Sequence, residues 1–342
     1  MKARYFKRQL QFKRPSGTSR GMLTSKDSWF IILEHEGNSG IGECSLLRGL
    51  SIDAVPNFEQ EIAKLCLSIN DRTTLPDLTS WPSLKMGYEM ALLDLSNERP
   101  YQLFPSEFSD GKAAIPINGL VWMGSVEYMK SQIKLLLESG FNCIKLKIGA
   151  LDFKEELQLL KQVRKDFNAQ EITLRVDANG AFSPKNALEK LKQLSDYDLH
   201  SIEQPVGVNQ WDLMRELCEQ SPVPIALDEE LIGCFSKEKQ QELLETIKPD
   251  YLILKPSLLG GFSVADQWIT LAKQKGIGWW VTSALESNIG LNAIAQWTYK
   301  IKASGDQGLG TGSLFRNNIN GPLKINAGCL WTDNLIPWEK FY

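Results

Sequence analysis

The sequence predicts an α/β protein, a modified (β/α)8 barrel of the TIM type with (β/α)7β topology, preceded by an N-terminal α+β capping domain. From Ile115 onward, apolar runs alternate with amphipathic stretches, which is typical of parallel strands joined by crossover helices. Charged residues end several of these runs at intervals of roughly one βα unit. In a barrel the carboxyl ends of all strands converge on one rim, where catalytic groups lie.

The N-terminal part of the chain lacks this alternation. Residues 4–14 and 29–44 have the pattern of antiparallel strands, with a hairpin turn signal at 36–40. Helical patterns follow at about 55–68 and 81–97. Strands and helices that are segregated in this way predict an α+β domain.

Eight apolar runs are the candidate strands of the barrel: 115–121, 143–148, 172–177, 199–203, 223–228, 251–255, 278–282 and 307–310. We predict a capping domain over residues 1–112, a barrel over 113–318 and a C-terminal segment, 319–342, that returns to the capping domain. The glycine-rich stretch 308–312 lacks the GxGxxG spacing of a dinucleotide site. We therefore interpret it as the closing strand and its turn, and a nucleotide-binding oxidoreductase is disfavoured.

Composition limits the function further. The 342 residues carry a net charge of −3 with no basic stripe, which argues against nucleic-acid binding. The six cysteines are scattered, as in a reduced protein, and neither a signal peptide nor a membrane span is predicted. We expect a cytoplasmic protein that acts on a small molecule, with no membrane and no obligate protein partner inferred. Oligomeric state stays open.

Histidine is scarce, since only His35 and His200 occur, and both are expected to be structural. Alternation along the strand directs His200 away from Glu203. Acid–base chemistry must then come from lysine and carboxylate.

Three carboxylates end successive predicted strands: Asp177, Glu203 and Asp228. Together they make a hard-oxygen site that suits Mg²⁺, with water and substrate oxygens completing an octahedron. Asn179 shares a face with Asp177 and is expected to lie next to the metal ligands without binding the ion itself. Alternation also predicts that Glu229 points away from the site and that Glu230 faces it.

Lysines flank these acids. Lys145 and Lys147 are two residues apart on the second strand, so both leave the same face, and Lys255 ends the sixth strand. A divalent cation with a base on either side suits removal of a proton next to a carboxylate.

After the seventh strand, Ser283, Glu286 and Ser287 precede an amphipathic helix and are candidate substrate contacts. Free amides at the helix start could hold a carboxylate. An ordinary N-cap at Ser287 fits the pattern equally well.

In these motifs the chain resembles the enolase superfamily, in its muconate-lactonizing-enzyme branch. The matching pieces, in the family's order over nearly the whole chain, are Gly40–Ser45, Lys145-Leu-Lys147, Asp177-Ala-Asn179, Glu203-Gln-Pro205, Asp228-Glu229, Lys255–Gly261 and Ser283–Gly290. The resemblance implies that Asp177, Glu203 and Asp228 bind Mg²⁺, for which Mn²⁺ can substitute. It also implies that Lys147 is the acid/base, assisted by Lys145, and that Lys255 lies on the opposite face of the substrate.

The resemblance further implies two capping loops, near 17–20 and 46–50, with Arg20 as a candidate contact to an anionic substrate. The expected reaction is the dehydration of a cyclohexadiene carboxylate to an aromatic product. Racemisation of an N-acylamino acid or epimerisation of a dipeptide would use the same two lysines, so it remains an alternative. Muconate cycloisomerisation is less favoured. A non-catalytic scaffold is disfavoured because polar groups at so many strand ends would be an unexplained cost.

Overall fold

The computed structural model describes residues 1–18 and 21–340. Five elements form the N-terminal region: β1 (Lys2–Thr18), β2 (Gly21–His35), β3 (Asn38–Ser45), α1 (Phe58–Asn70) and α2 (Pro82–Leu95). The strands form an antiparallel sheet in the order β1-β2-β3. The predicted α+β character of this region and the predicted turn at 36–40 are confirmed.

Strand β2 is buried on both of its faces. Ile31 and Leu33 share an apolar cluster with Ile62 and other residues of α1. Phe30 and Ile32 belong instead to the main core, which continues into the barrel. The small sheet is therefore packed on both sides, which fixes the position of its strands relative to the barrel.

The barrel region contains the remaining elements: β4 (Ile115–Pro116), β5 (Gly119–Val121), α3 (Val126–Glu138), β6 (Cys143–Lys147), α4 (Phe153–Asp166), β7 (Thr173–Asp177), α5 (Ala187–Leu194), β8 (Ser201–Glu203), α6 (Trp211–Gln220), β9 (Ile225–Leu227), α7 (Lys237–Ile247), β10 (Tyr251–Leu254), α8 (Pro256–Leu259), α9 (Phe262–Lys275), β11 (Gly278–Val281), α10 (Asn288–Lys300), β12 (Leu323–Asn326) and β13 (Cys329–Thr332). Strands β5 to β11 form one parallel sheet in chain order. The predicted α/β barrel is confirmed.

The eighth barrel position differs from its prediction. Residues 307–310 form isolated parallel bridges, Thr282 with Gly308 and Ile117 with Gln307, instead of a full strand. Backbone hydrogen bonds from Asn118 N to Gln307 O and from Ser283 N to Gly308 O close the ring at this point. The glycines that follow Gln307 leave few side chains to support a longer ladder.

The C-terminal segment meets both regions. The β12–β13 hairpin pairs with β4 at the start of the barrel. Glu339 forms an ion pair with Arg8 of β1, and just before this segment Asn317 exchanges hydrogen bonds with Gln9 and Gln11 of the same strand. The domain boundaries at 112 and 318 stay a prediction.

Within the described residues, no helix combines the length and apolar character needed to cross a membrane.

Candidate active site

The carboxyl ends of neighbouring barrel strands carry the predicted site residues at one level. Lys147 is in register with Asp177, and Asp177 is in register with Glu203. Asp228 directly follows β9, and Lys255 directly follows β10. Because parallel strands in register present the same face at the same height, these side chains meet inside the barrel mouth.

Two lysines of β6 share the carboxylates of the next two strands. Lys145 Nζ lies 2.9 Å from Asp177 Oδ2 and 2.5 Å from Glu203 Oε2. Lys147 Nζ lies 3.0 Å from Asp177 Oδ2 and donates a 2.7 Å hydrogen bond to Asn179 Oδ1. The predicted common face of the two lysines is therefore present.

Lys255 lies on the other side of the mouth, because β10 is separated from β6 by three strands of the sheet. Its Nζ forms an ion pair with Asp228 Oδ2. The side chains of Lys147 and Lys255 are each 12% exposed, so both reach the cavity while their charges stay paired.

The charges perturb one another strongly. Burial would lower the pKa of Lys145, but the carboxylates of Asp177, Glu203 and Asp228 outweigh it and raise that pKa above its usual value. Burial opposes ionisation of Asp177, yet the neighbouring lysines hold its pKa well below the ordinary range. Burial, followed by the negative charge of Asp177, raises the pKa of Glu203.

The three carboxylates fit a magnesium ion by their chemistry. Asp177, Glu203 and Asp228 are at most 2% exposed, and among the described residues Glu203 Oε1 has no hydrogen-bond partner although it is buried. A buried acceptor without a donor is costly, and a hard cation would satisfy it. No three acidic, histidine or cysteine side chains of the described chain are already gathered as a ligand cluster. Lys145 pairs with Glu203 and Lys255 pairs with Asp228, so a cation would compete with these ammonium groups for the carboxylate oxygens.

The orientation predicted for two adjacent glutamates is wrong. Glu229 lines the cavity and accepts a 3.0 Å hydrogen bond from Asn179 Nδ2. Glu230 points away from it and accepts hydrogen bonds from the Asn209 amide and from Trp211 Nε1. Strand alternation does not apply here because β9 ends at Leu227 and residues 229–231 form a 3-10 turn.

Of the residues predicted after β11, the structure brings one to the site. Ser283 lines the cavity and shares a hydrogen bond with Thr311 Oγ1. Ser287 caps α10, as the alternative interpretation had it, and its amide and hydroxyl donate to the carboxylate of Glu43 in the capping region. Glu286 is fully buried and accepts from Ser257 Oγ. The helix start therefore already holds a carboxylate from the protein itself.

A cavity of about 910 Å³ opens above the charged cluster. Lys145, Lys147, Asp177, Asn179 and Lys255 contribute to its floor. The capping region contributes side chains from the predicted loop at 46–50, and Arg20 lies outside the described residues. Sequence reasoning missed the glycine-rich stretch 308–312, which also lines the cavity. The only signal for it was its position at the carboxyl end of the last predicted strand, where barrel sites lie.

Comparison with known proteins agrees with this geometry. Residues 128–335 match the family described as enolase C-terminal domain-like. The chain is 47% identical to the o-succinylbenzoate synthase of Desulfotalea psychrophila (strain LSv54), covering 96% of this chain and 98% of that protein. The crystal structure of MenC from the same organism aligns with a TM-score of 0.87 and 43% identity, covering 97% and 99% of the two chains. The D-Ala-D/L-Ala epimerase of Cytophaga hutchinsonii is more distant, at 28% identity over 85% of this chain and 81% of that protein.

Proposed function

The chain belongs to the enolase C-terminal domain-like family, and on that premise we propose that it is a magnesium-dependent o-succinylbenzoate synthase. The reaction is the loss of water from 2-succinyl-6-hydroxy-2,4-cyclohexadiene-1-carboxylate, which gives 2-succinylbenzoate in menaquinone biosynthesis. The enzyme is then a hydro-lyase, expected in the cytoplasm. The observation that carries the proposal is the pairing of lysines and carboxylates across the barrel mouth, in a chain with extensive identity to a relative of that name.

The difficult step is removal of a proton next to a carboxylate, because that proton is barely acidic in water. We assign this step to Lys147, whose Nζ reaches the cavity and is oriented by Asp177 and Asn179. The neutral amine form of Lys147 takes up the substrate proton, which leaves an ammonium group on the lysine. Loss of water makes the ring aromatic, which provides the overall driving force.

The leaving hydroxyl needs a proton, and Lys147 is the group placed to return one. In a syn elimination both events occur on the same face of the ring, so a single acid–base residue serves both. Lys255 faces the substrate from the other side, where its ammonium group would stabilise negative charge that develops on the ring and its carboxylate.

We infer that Asp177, Glu203 and Asp228 would hold Mg²⁺, or Mn²⁺ in its place. The bound ion supplies Lewis-acid stabilisation of the charge on the substrate carboxylate. Lys145, which contacts both Asp177 and Glu203, would then also be close enough to help bind that carboxylate.

The alternative is racemisation of an N-acylamino acid or epimerisation of a dipeptide. Its support is the placement of Lys147 and Lys255 on opposite sides of the cavity, since racemisation needs one base on each face. Dehydration needs only one base, so the two reactions make different demands on Lys255. Identity to an epimerase is lower than to the synthase, which favours dehydration.

Turnover of the cyclohexadiene substrate by the purified protein with Mg²⁺ tests the proposal. Absorbance of the aromatic product should appear at a rate that is proportional to enzyme concentration. In parallel, N-succinylamino acids and dipeptides are incubated in D2O, and deuterium at the α-carbon is measured by mass spectrometry. Absence of the aromatic product, together with α-deuteration of an N-acylamino acid or dipeptide, would replace the proposal with the alternative.

A further inference from the structure

A lysine is buried between the capping region and the barrel, apart from the three lysines of the site. Lys26 on β2 is only 6% exposed. Its Nζ donates to Ser45 Oγ on β3 and, at 2.7 Å, to the carbonyl oxygen of Leu285, which follows β11. A buried ammonium is costly unless it is well bonded, so this position needs an explanation.

Two buried carboxylates accompany Lys26. Glu43 on β3 accepts hydrogen bonds from Ser287 Oγ (2.6 Å) and from the amides of Ser287 and Gly290 (3.0 Å each), at the N-terminus of α10. Glu286 accepts a 2.6 Å hydrogen bond from Ser257 Oγ. Burial lowers the pKa of Lys26, whereas the charges of Glu43 and Glu286 act to raise it.

The segment that Lys26 contacts forms part of the cavity wall. Ser283, Ala284 and Leu285 all line the cavity. Leu285 has a φ of +56°, a left-handed conformation that is unfavourable for leucine and persists only where the surrounding structure holds it. The bond from Lys26 to the Leu285 carbonyl, and a 3.3 Å bond from Ser45 Oγ to the Ala284 carbonyl, supply such fixation.

The same contacts lead to Lys255. Glu286 follows Leu285, and its partner Ser257 lies two residues after Lys255, in the short helix α8. Hydrogen bonds at Leu285 and Glu286, joined by the chain between them, therefore connect Lys26 to the turn that carries Lys255.

We propose that Lys26 is a positioning residue: it anchors residues 284–286 to the capping region and so keeps the cavity wall and the Lys255 turn in place. Lys26 is not one of the residues that line the cavity, so we assign it no direct contact with the substrate. The kinetic part of this inference rests on the proposed function, whereas the structural part does not.

The test compares two variants with the wild type. Lys26→Met keeps an unbranched side chain about as long as the lysine's carbon chain but removes the ammonium donors. Because small misplacements at a catalytic site are costly, kcat/KM should fall about 10- to 100-fold. Lys26→Met combined with Glu286→Gln removes one negative charge as well as the positive one. If anchoring is what matters, the double variant stays as impaired as the single one.

Hydrogen–deuterium exchange supplies a readout that needs no turnover. Amides in peptides covering 283–287 should exchange faster in both variants, while peptides from β7 and β8 should not change. Lys7→Met is the matched control, because Lys7 is a half-exposed lysine on the adjacent strand whose partner is Asp27. It should leave both kcat/KM and exchange at 283–287 as in the wild type.

Two results would overturn the proposal. The first is a folded Lys26→Met variant with the kcat/KM and the exchange at 283–287 of the wild type. The second is full recovery of kcat/KM and exchange in the double variant, which would mean that Lys26 only balances the charge of Glu286. If Lys26→Met does not fold, the double variant and Ser45→Ala carry the same comparison. If the wild type itself produces no aromatic product, the proposed function fails, and the exchange data alone decide the role of Lys26.

Discussion

Lys145 and Lys147 leave the same strand face only two residues apart, yet their surroundings suit them to different tasks. Lys145 contacts two carboxylates and is 6% exposed, so its positive charge is held firmly. Lys147 contacts one carboxylate and the neutral amide oxygen of Asn179. Lys147 is also the less enclosed of the two, with 12% of its side chain exposed against 8% for Lys145, which supports Lys147 as the base and Lys145 as the cation that stays with the carboxylates.

Alanine at either cavity-facing lysine should separate catalysis from folding. Lys147→Ala is expected to lower kcat by at least about 100-fold, the usual consequence of removing an acid–base group. Lys255→Ala should also lower kcat, because a positive charge next to the developing negative charge is lost. Circular dichroism should show an unchanged fold, and steady-state kinetics give the rates.

Lys134→Ala is the control for these two variants, since Lys134 is exposed on α3 and pairs only with Glu138 among the described residues. It should retain the wild-type kcat. Near-wild-type turnover by Lys147→Ala would remove Lys147 from the mechanism, and the same result for Lys255→Ala would remove Lys255.

At the scale of elements, period-two alternation succeeded wherever a strand continued and failed where one ended. It placed Lys145 and Lys147 on one face because β6 runs through both. It misoriented Glu229 and Glu230 because a 3-10 turn replaces the strand. The eighth strand was predicted over 307–310, but only isolated bridges form there. An apolar pattern does not report how many backbone groups find a hydrogen-bond partner on a neighbouring strand.

Packing of β3 on α2 depends on a glycine that the sequence pattern could not explain. A Cβ at Gly42 would lie 1.8 Å from the carbonyl oxygen of Gly87 in α2, so one backbone would have to move. We expect Gly42→Ala to lower the free energy of unfolding by about 1–3 kcal/mol or more, as overpacking does. Urea denaturation followed by circular dichroism measures this change.

Ser39→Ala is the comparison for Gly42→Ala, because Ser39 is exposed on the same strand. Its effect should stay within about 0.5 kcal/mol, as is usual for surface positions. Equal midpoints for the two variants would show that β3 and α2 are not held as closely as the structure has them.

At the scale of the whole molecule, the site depends on contacts between residues far apart in sequence. Glu43 bonds Ser287 across 244 positions, and Lys26 bonds Leu285 across 259. The family motifs Gly40–Ser45 and Ser283–Gly290 contain three of these four residues, but sequence alone gave no sign that the two motifs bind each other. That pairing directs Ser287, a candidate substrate contact, to Glu43 of the capping region, while Glu286, another candidate, bonds Ser257 within the barrel.

Metal binding should stabilise the folded chain as a whole, because Asp177, Glu203 and Asp228 come from three different strand ends. A ligand present at about 100 times its dissociation constant, and bound only by the native state, adds about 2.7 kcal/mol. Saturating Mg²⁺ should therefore raise the Tm measured by calorimetry, and EDTA should reverse the change.

Glu203→Gln should lose the Mg²⁺-dependent increment in Tm, while its Tm in EDTA stays at or above that of the wild type. The reason is that burial raises the pKa of Glu203, so its charge is a cost in the metal-free fold, and a glutamine oxygen can still accept from Lys145. Glu219→Gln, at a half-exposed position on α6, should keep the full increment. A Tm that does not respond to Mg²⁺ in the wild type, or responds equally in Glu203→Gln, would mean that these carboxylates do not form the metal site.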